Sequence, residues 1–161
     1  MTHERIPLED LRVPWRALVV LADGRRARLL RNLGTPRHIS FETEFEMEQE
    51  NPATREQGTD RPGRYPAPVG LSRSAVEQTD WHQLQEQRFV SKLANTLYQR
   101  VHSDHAGQII VMATPKVLGA LRAAYHPEVA MRVMAEIPKD YTALSPLELA
   151  RRLVDAAFPD E

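Results

Sequence analysis

With 161 residues, a net charge of −1 and no cysteine, the chain has room for one domain with a sizeable core. Disulfides, thiolate metal sites and a cysteine nucleophile are excluded. A near-zero charge argues against wholesale binding to a nucleic-acid backbone. No apolar leader opens the chain and no run reaches the roughly 18 apolar residues of a membrane span, so a soluble, cytoplasmic protein is expected.

Residues 1–14 are charged and broken by Pro7 and Pro14, which predicts a loose lead-in to a single domain over 15–158. Arg16 to Asp23 contains a continuous apolar run that suits a strand buried on both faces. Asp23-Gly24 predicts a type I′ hairpin turn, in which both central residues take positive φ. The return strand is Arg26 to Leu33, closed by Gly34-Thr35-Pro36.

The third strand has the clearest alternation in the chain. Ile39, Phe41, Thr43, Phe45 and Met47 point one way, and His38, Ser40, Glu42, Glu44, Glu46 and Glu48 the other. This predicts one face on the core and one acidic, solvated face, on a strand at the sheet edge.

Residues 49–79 carry Pro52, Pro62, Pro66 and Pro68 with Gly58, Gly63 and Gly70, and read as one long loop. Such loops inside a compact domain are commonly functional. Arg55, Arg61, Arg64 and Arg73 lie in it.

Asp80 is placed to cap a helix from Trp81 to His102, with Trp81, Leu84, Phe89, Leu93, Leu97 and Val101 as its apolar stripe. His82 near its start has Glu86 one turn on. Ile109 to Ala113 is a second unbroken apolar strand. Thr114 and Pro115 supply the N-cap and first position of a following helix, in which Gly119 would allow close approach to the strand. Alternation from Val129 to Ile137 predicts a last strand, with Arg122 and Arg132 on solvated faces. Ser145-Pro146-Leu147-Glu148 is a capping box that opens a final helix over 146–158.

These elements predict an α/β fold: a mixed five-stranded sheet of order 3-2-1-4-5 with helices on both faces, the ribonuclease H-like arrangement.

The segments ADGRRARLL at 22–30, DRPGR at 60–64, HQLQEQRFVSKLANTL at 82–97, IIVMATPKVLGALR at 109–122 and LSPLELARRL at 144–153 occur in an order that resembles the bacterial host attachment protein family. That family is similar to the middle domain of the archaeal and eukaryotic peptide-chain release factors, which has a ribonuclease H-like fold. The resemblance implies a non-catalytic binding module related to translation factors that contacts ribosome or RNA through the arginine-bearing loop. Release factors act through a Gly-Gly-Gln loop, and this chain contains no Gly-Gly. Gln57-Gly58 and Pro62-Gly63-Arg64 are the nearest approximations, so peptidyl-tRNA hydrolysis is not carried over. Two alternatives remain open: a factor that binds another protein and acts indirectly on attachment to host cells, and an uncharacterised hydrolase.

The candidate binding residues are Asp60, Arg61, Gly63 and Arg64, where two arginines around a Pro-Gly turn could grip phosphate or carboxylate, together with His82, Asp23 and Arg25. An internal Asp–Arg pair in a solvated turn is the competing explanation for the loop, and Asp-Gly turn chemistry the one for Asp23. The two apolar strands contribute no interior acid, against a two-metal nuclease. His102, His105 and His126 lack zinc-ligand spacing. No catalytic residue, metal or cofactor is expected.

Overall fold

The computed structural model describes residues 6–49, 71–104 and 107–160. Its strands are β1 (Leu18–Ala22), β2 (Arg26–Asn32), β3 (Phe41–Glu48), β4 (Ile109–Ala113) and β5 (Val133–Ile137), and its helices α1 (Leu71–Asp104), α2 (Pro115–Ala124), α3 (Pro127–Ala130) and α4 (Pro146–Ala157). They form one five-stranded sheet of order β3-β2-β1-β4-β5. β1 pairs antiparallel with β2 and parallel with β4, and β4 runs parallel to β5. The expected α/β fold and strand order are observed.

Every residue of β1 and β4 is buried, because both strands lie inside the sheet and both faces are roofed. Leu18, Val20, Ile109 and Val111 meet α1 and α2 through Phe89, Leu93, Leu97, Val117 and Leu121. Val19, Leu21, Ile110 and Met112 meet the opposite layer, where Leu149 and Leu153 of α4 pack beside Leu11 and Val13. Alternate side chains of a strand point to opposite faces, so an unbroken apolar run is what a two-sided core requires.

The lead-in is therefore not loose from Leu11 onward: Leu11 and Val13 are 1% exposed. Asn32 holds this segment in place. It is fully buried, and its Nδ2 donates to the carbonyls of Val13 (3.1 Å) and Pro14 (3.2 Å) while its Oδ1 accepts from Gly34 N (2.8 Å) and Ser40 N (3.0 Å).

The hairpin differs from the expected turn. Gly24 has φ 93°, and Arg16 is the other described residue with a positive value, so Asp23 does not adopt one. Asp23 N bonds Arg26 O, which puts Gly24 and Arg25 at the centre with the φ signs of a type II′ turn. A Cβ on Gly24 would also lie 3.3 Å from Val117 Cγ2, so the tip packs directly under α2.

β3 lies at the sheet edge as expected, but its apolar residues do not share one face. Leu29 pairs with Phe45 while Leu30 pairs with Thr43, which leaves Glu44 as the extra residue of a bulge. A bulge shifts side-chain alternation by one. Phe45 and Met47 consequently join the α1 layer, and Ile39 and Phe41 join the α4 layer. Glu44 turns inward toward Arg31 and Arg100 and away from the expected solvated face.

Helix α1 starts ten residues before the expected position, at Leu71 and not Trp81. Asp80 is interior to it and caps nothing. Gly70 is followed by no proline or glycine until Gly107, so nothing in the chain forces a later start. Residues 71–79 thus leave the expected 49–79 loop and join the helix. The burial of α1 among residues 80–103 begins in earnest at Phe89; Leu84, assigned above to the apolar stripe, is 39% exposed.

Two smaller expectations also fail. Gly119 faces open space, with nothing within 4 Å of a Cβ placed there, so it mediates no close approach. Val129 lies in α3, a single turn that His126 caps through Nδ1 and Pro127 opens, and β5 begins at Val133. The Thr114 cap, Pro115 and the Ser145–Glu148 capping box form as expected.

A candidate binding cleft beside the β1–β2 hairpin

Where β1 ends, the chain after β5 comes alongside it. Asp23 Oδ1 accepts from the backbone N–H of Arg25 (2.9 Å) and Arg26 (2.7 Å), which fixes the turn. Its Oδ2 faces Thr142 Oγ1 at 3.2 Å and Arg26 Nη2 at 3.5 Å. Thr142 Oγ1 also lies 2.5 Å from Asp140 Oδ1, which accepts Thr142 N–H at 2.9 Å. A hydroxyl has one proton to donate, so Thr142 serves one carboxylate at a time and Arg26 supplies charge to Asp23.

Arg28 Nη2 clamps the same loop by donating to the carbonyls of Thr142 (2.8 Å) and Leu144. The cross-strand register sets Arg26 opposite Glu48 and Arg28 opposite Glu46. These residues, with Ala27, Met47 and Thr142, line an open cleft of about 520 Å³. Its floor sets guanidinium donors of β2 against carboxylate acceptors of β3 on one face of the sheet.

Burial pushes the Asp23 carboxyl up, but the Arg25 and Arg26 N–H groups, Thr142 and the Arg26 charge outweigh it and hold the group below the ordinary carboxylate range. A carboxylate that stays ionised at neutral pH is a poor proton carrier.

Of the residues singled out from sequence, Asp23 and Arg25 sit together in the turn; neither lines the cleft, and Asp23 meets it through Arg26 and Thr142. His82 is exposed on α1, and its expected neighbour Glu86 pairs instead with Lys116 Nζ of α2 at 3.5 Å. Asp60, Arg61, Gly63 and Arg64 lie outside the described residues. Among the described residues no three His, Asp or Glu side chains converge as metal ligands. No described helix is long and apolar enough to cross a membrane.

The sequence did not point to Arg26, Arg28 or Thr142. Arg26 and Arg28 occupy outward positions of an ordinary alternating strand. Thr142 reaches Asp23 across 119 residues, a separation that leaves no local pattern to read.

Gln49, the last described residue before 71, is anchored at the same place. Its N–H donates to Arg25 O at 2.7 Å and its Nε2 to Gln85 O of α1 at 2.8 Å.

None of the curated proteins compared with the chain matches it. The model of bacterial archaeo-eukaryotic release factor family 12 matches residues 16–153, from two residues before β1 to Leu153 within α4. The match carries the release-factor kinship and says nothing of host attachment. On that coverage, the chain belongs to the bacterial archaeo-eukaryotic release factor family 12.

Proposed function

We propose that the protein is a non-catalytic binding module of the translation-factor lineage, which docks on the ribosome through the arginines that follow β3. One observation carries the proposal beyond kinship. Gln49 is bonded to Arg25 and to Gln85, so the last described residue before the stretch bearing Arg55, Arg61 and Arg64 is held next to Glu48 of the Arg26–Arg28 cleft. Guanidinium groups grip phosphate oxygens bidentately, and ribosomal RNA presents those oxygens at high density.

Co-sedimentation with purified ribosomes at low salt tests this directly. Binding is expected to fall as salt rises and to weaken in the double variant Arg61→Ala, Arg64→Ala. A protein that stays wholly in the supernatant at low salt sinks the proposal.

A second reading draws on β3, where Glu42, Glu46 and Glu48 are exposed along an edge strand. An acidic edge suits a basic protein partner, through which the chain would act indirectly on attachment to host cells. A deletion strain that attaches normally excludes it.

A further inference from the structure

The opposite end of the sheet carries a different surface. Trp15 is 62% exposed, although tryptophan has more apolar area to hide than any other side chain. Its position follows from the backbone. Ala17 N bonds Pro14 O at 3.1 Å, Arg16 N bonds Asn32 O at 2.7 Å, and Arg16 takes φ 68°. A non-glycine residue in that left-handed region is strained. The turn swings the indole out of the core, and the Arg16 guanidinium carbon lies 5.4 Å from its ring centroid.

A second aromatic, the half-buried Phe158, also has arginines over its ring. The guanidinium carbons of Arg12 and Arg37 lie 4.7 Å and 4.5 Å from the Phe158 ring centroid. Leu33, next to Asn32 in the chain, is 51% exposed. Each ring is thus accompanied by guanidinium groups.

We propose that this end of the domain, centred on Trp15, is a docking surface for single-stranded RNA, with a base stacked on the indole and phosphates on Arg12, Arg16 and Arg37. Single strands offer the two handles this surface matches: an unpaired base face and a phosphate at every nucleotide. A duplex hides the base faces and fits poorly. Glu9 and Asp10 lie just upstream of Arg12, so the local field is mild and stacking carries more of the affinity than charge does. The surface is separate from the Arg25–Gln49 end and does not depend on the ribosome-docking proposal.

Fluorescence tests it, because the chain has two tryptophans and Trp81→Phe leaves Trp15 as the single reporter. An oligouridylate of about twelve nucleotides, within the site sizes of single-strand binders, is expected to quench that emission saturably and less so at high salt. Trp15→Ala in the otherwise natural chain is expected to weaken binding of the labelled oligonucleotide about tenfold, in line with the loss of one stacked base. Arg16→Gly, which relieves the backbone strain, is expected to leave the melting temperature at or above that of the natural protein while binding drops. Arg61→Ala with Arg64→Ala leaves the quenching unchanged, so failure of the ribosome proposal reads separately from failure here. The inference is overturned by the absence of saturable quenching at low salt. Equal quenching by an RNA duplex or by polyglutamate overturns it too, and polyglutamate binding would identify the surface as one for acidic protein.

Discussion

Arg31 and Glu44 form a two-pronged ion pair, Nε to Oε2 and Nη2 to Oε1, each at 3.0 Å, with the Arg31 side chain 5% exposed. The pair exists because of the β3 bulge. In regular alternation Glu44 would not lie beside Phe45 on the α1 face. Bulging brings the carboxylate inward, where Arg100 of α1 also reaches Oε1 at 3.1 Å. Arg31 Nη1 in turn donates to Arg16 O at 3.0 Å. One irregular residue thereby links the edge strand, the long helix and the turn that displays Trp15.

Glu44→Gln keeps the shape and removes the charge opposite a buried guanidinium. Breaking such a pair costs about 3 kcal/mol or more, which a urea denaturation curve resolves. The pH dependence has a definite sign. The Arg31 hydrogen bond, against the opposing effect of burial and with the charges of Arg31, Arg100 and Arg16, holds the Glu44 carboxyl below its ordinary value of 4.5. Its stabilisation is therefore fully present above that value and lost as pH falls through the lowered folded-state pKa. Natural protein should lose more stability than Glu44→Gln on going from about pH 6 to about pH 3. Parallel curves for the two proteins would show the pair to be idle.

The sheet order could be read from sequence because β1 and β4 are apolar without interruption and only central, doubly covered strands tolerate that. The caps at Thr114 and Ser145 were legible for a similar reason: hydroxyl, proline and glutamate chemistry acts within one helical turn. Bulges were not. Ile39 to Met47 alternates identically whether or not the register slips at Glu44, so the switch of faces leaves no trace in the pattern. The same holds at β5, where Ile109 pairs with Val133 but Ile110 with Ala135. The start of α1 was missed because residues 71–80 contain no breaker and no strong apolar stripe. At the cleft, the Asp-Gly turn marked Asp23, while its partner Thr142 could only be found once the fold had been closed.

Asn32→Ala removes four hydrogen bonds at a site with no exposure. The carbonyl of Val13 and the N–H groups of Gly34 and Ser40 lose the Asn32 side chain together, while the Pro14 carbonyl keeps the Ala17 N–H. A cost of about 2–4 kcal/mol is expected, since stranded buried groups cost more than the average bond is worth. Asn32→Asp keeps the shape, replaces two donors by an acceptor and buries a charge. At neutral pH it should melt lower than Asn32→Ala, and the gap should narrow in acid as the carboxyl takes up a proton. Equal melting temperatures for the two variants at neutral pH would contradict the assigned bonding.

Glu136 of β5 is fully buried and faces α2, where Arg122 meets its Oε1 through Nε (2.6 Å) and Nη2 (2.5 Å). Arg122 is exposed, as expected of a solvated face, and it is also the counter-charge of this carboxylate. Arg122→Ala should cost about 3–5 kcal/mol because it leaves Glu136 charged in the core. The double variant Arg122→Met, Glu136→Met should recover most of that loss. A spectroscopic reporter is close by. Burial first, and the Glu136 charge second, push the Tyr125 phenol upward. Glu136→Gln should bring the phenolate absorbance transition down part of the way and no further, as burial remains. A transition that does not move at all would separate Tyr125 from this carboxylate.

Arg28 makes the sharpest prediction at the cleft. A single Nη2 spans the carbonyls of Thr142 and Leu144, and this fixes the segment that carries Thr142 to Asp23. Lysine keeps the charge but presents a flexible point donor in place of a planar fork. Arg28→Lys should therefore lower global stability by only about 1 kcal/mol, the net worth of a hydrogen bond or so. Amide hydrogen exchange over 141–144 should quicken well beyond that, because the loop then opens without the domain unfolding. Thr142→Val separates the two attachments: it removes the hydroxyl between Asp23 and Asp140 yet leaves the Thr142 carbonyl for Arg28. Asp23 should remain depressed in pKa in that variant, since the N–H groups of Arg25 and Arg26 still hold its Oδ1. If Thr142→Val frees the loop as much as Arg28→Lys does, the hydroxyl and not the guanidinium is the anchor, and the cleft wall is held from the Asp23 side.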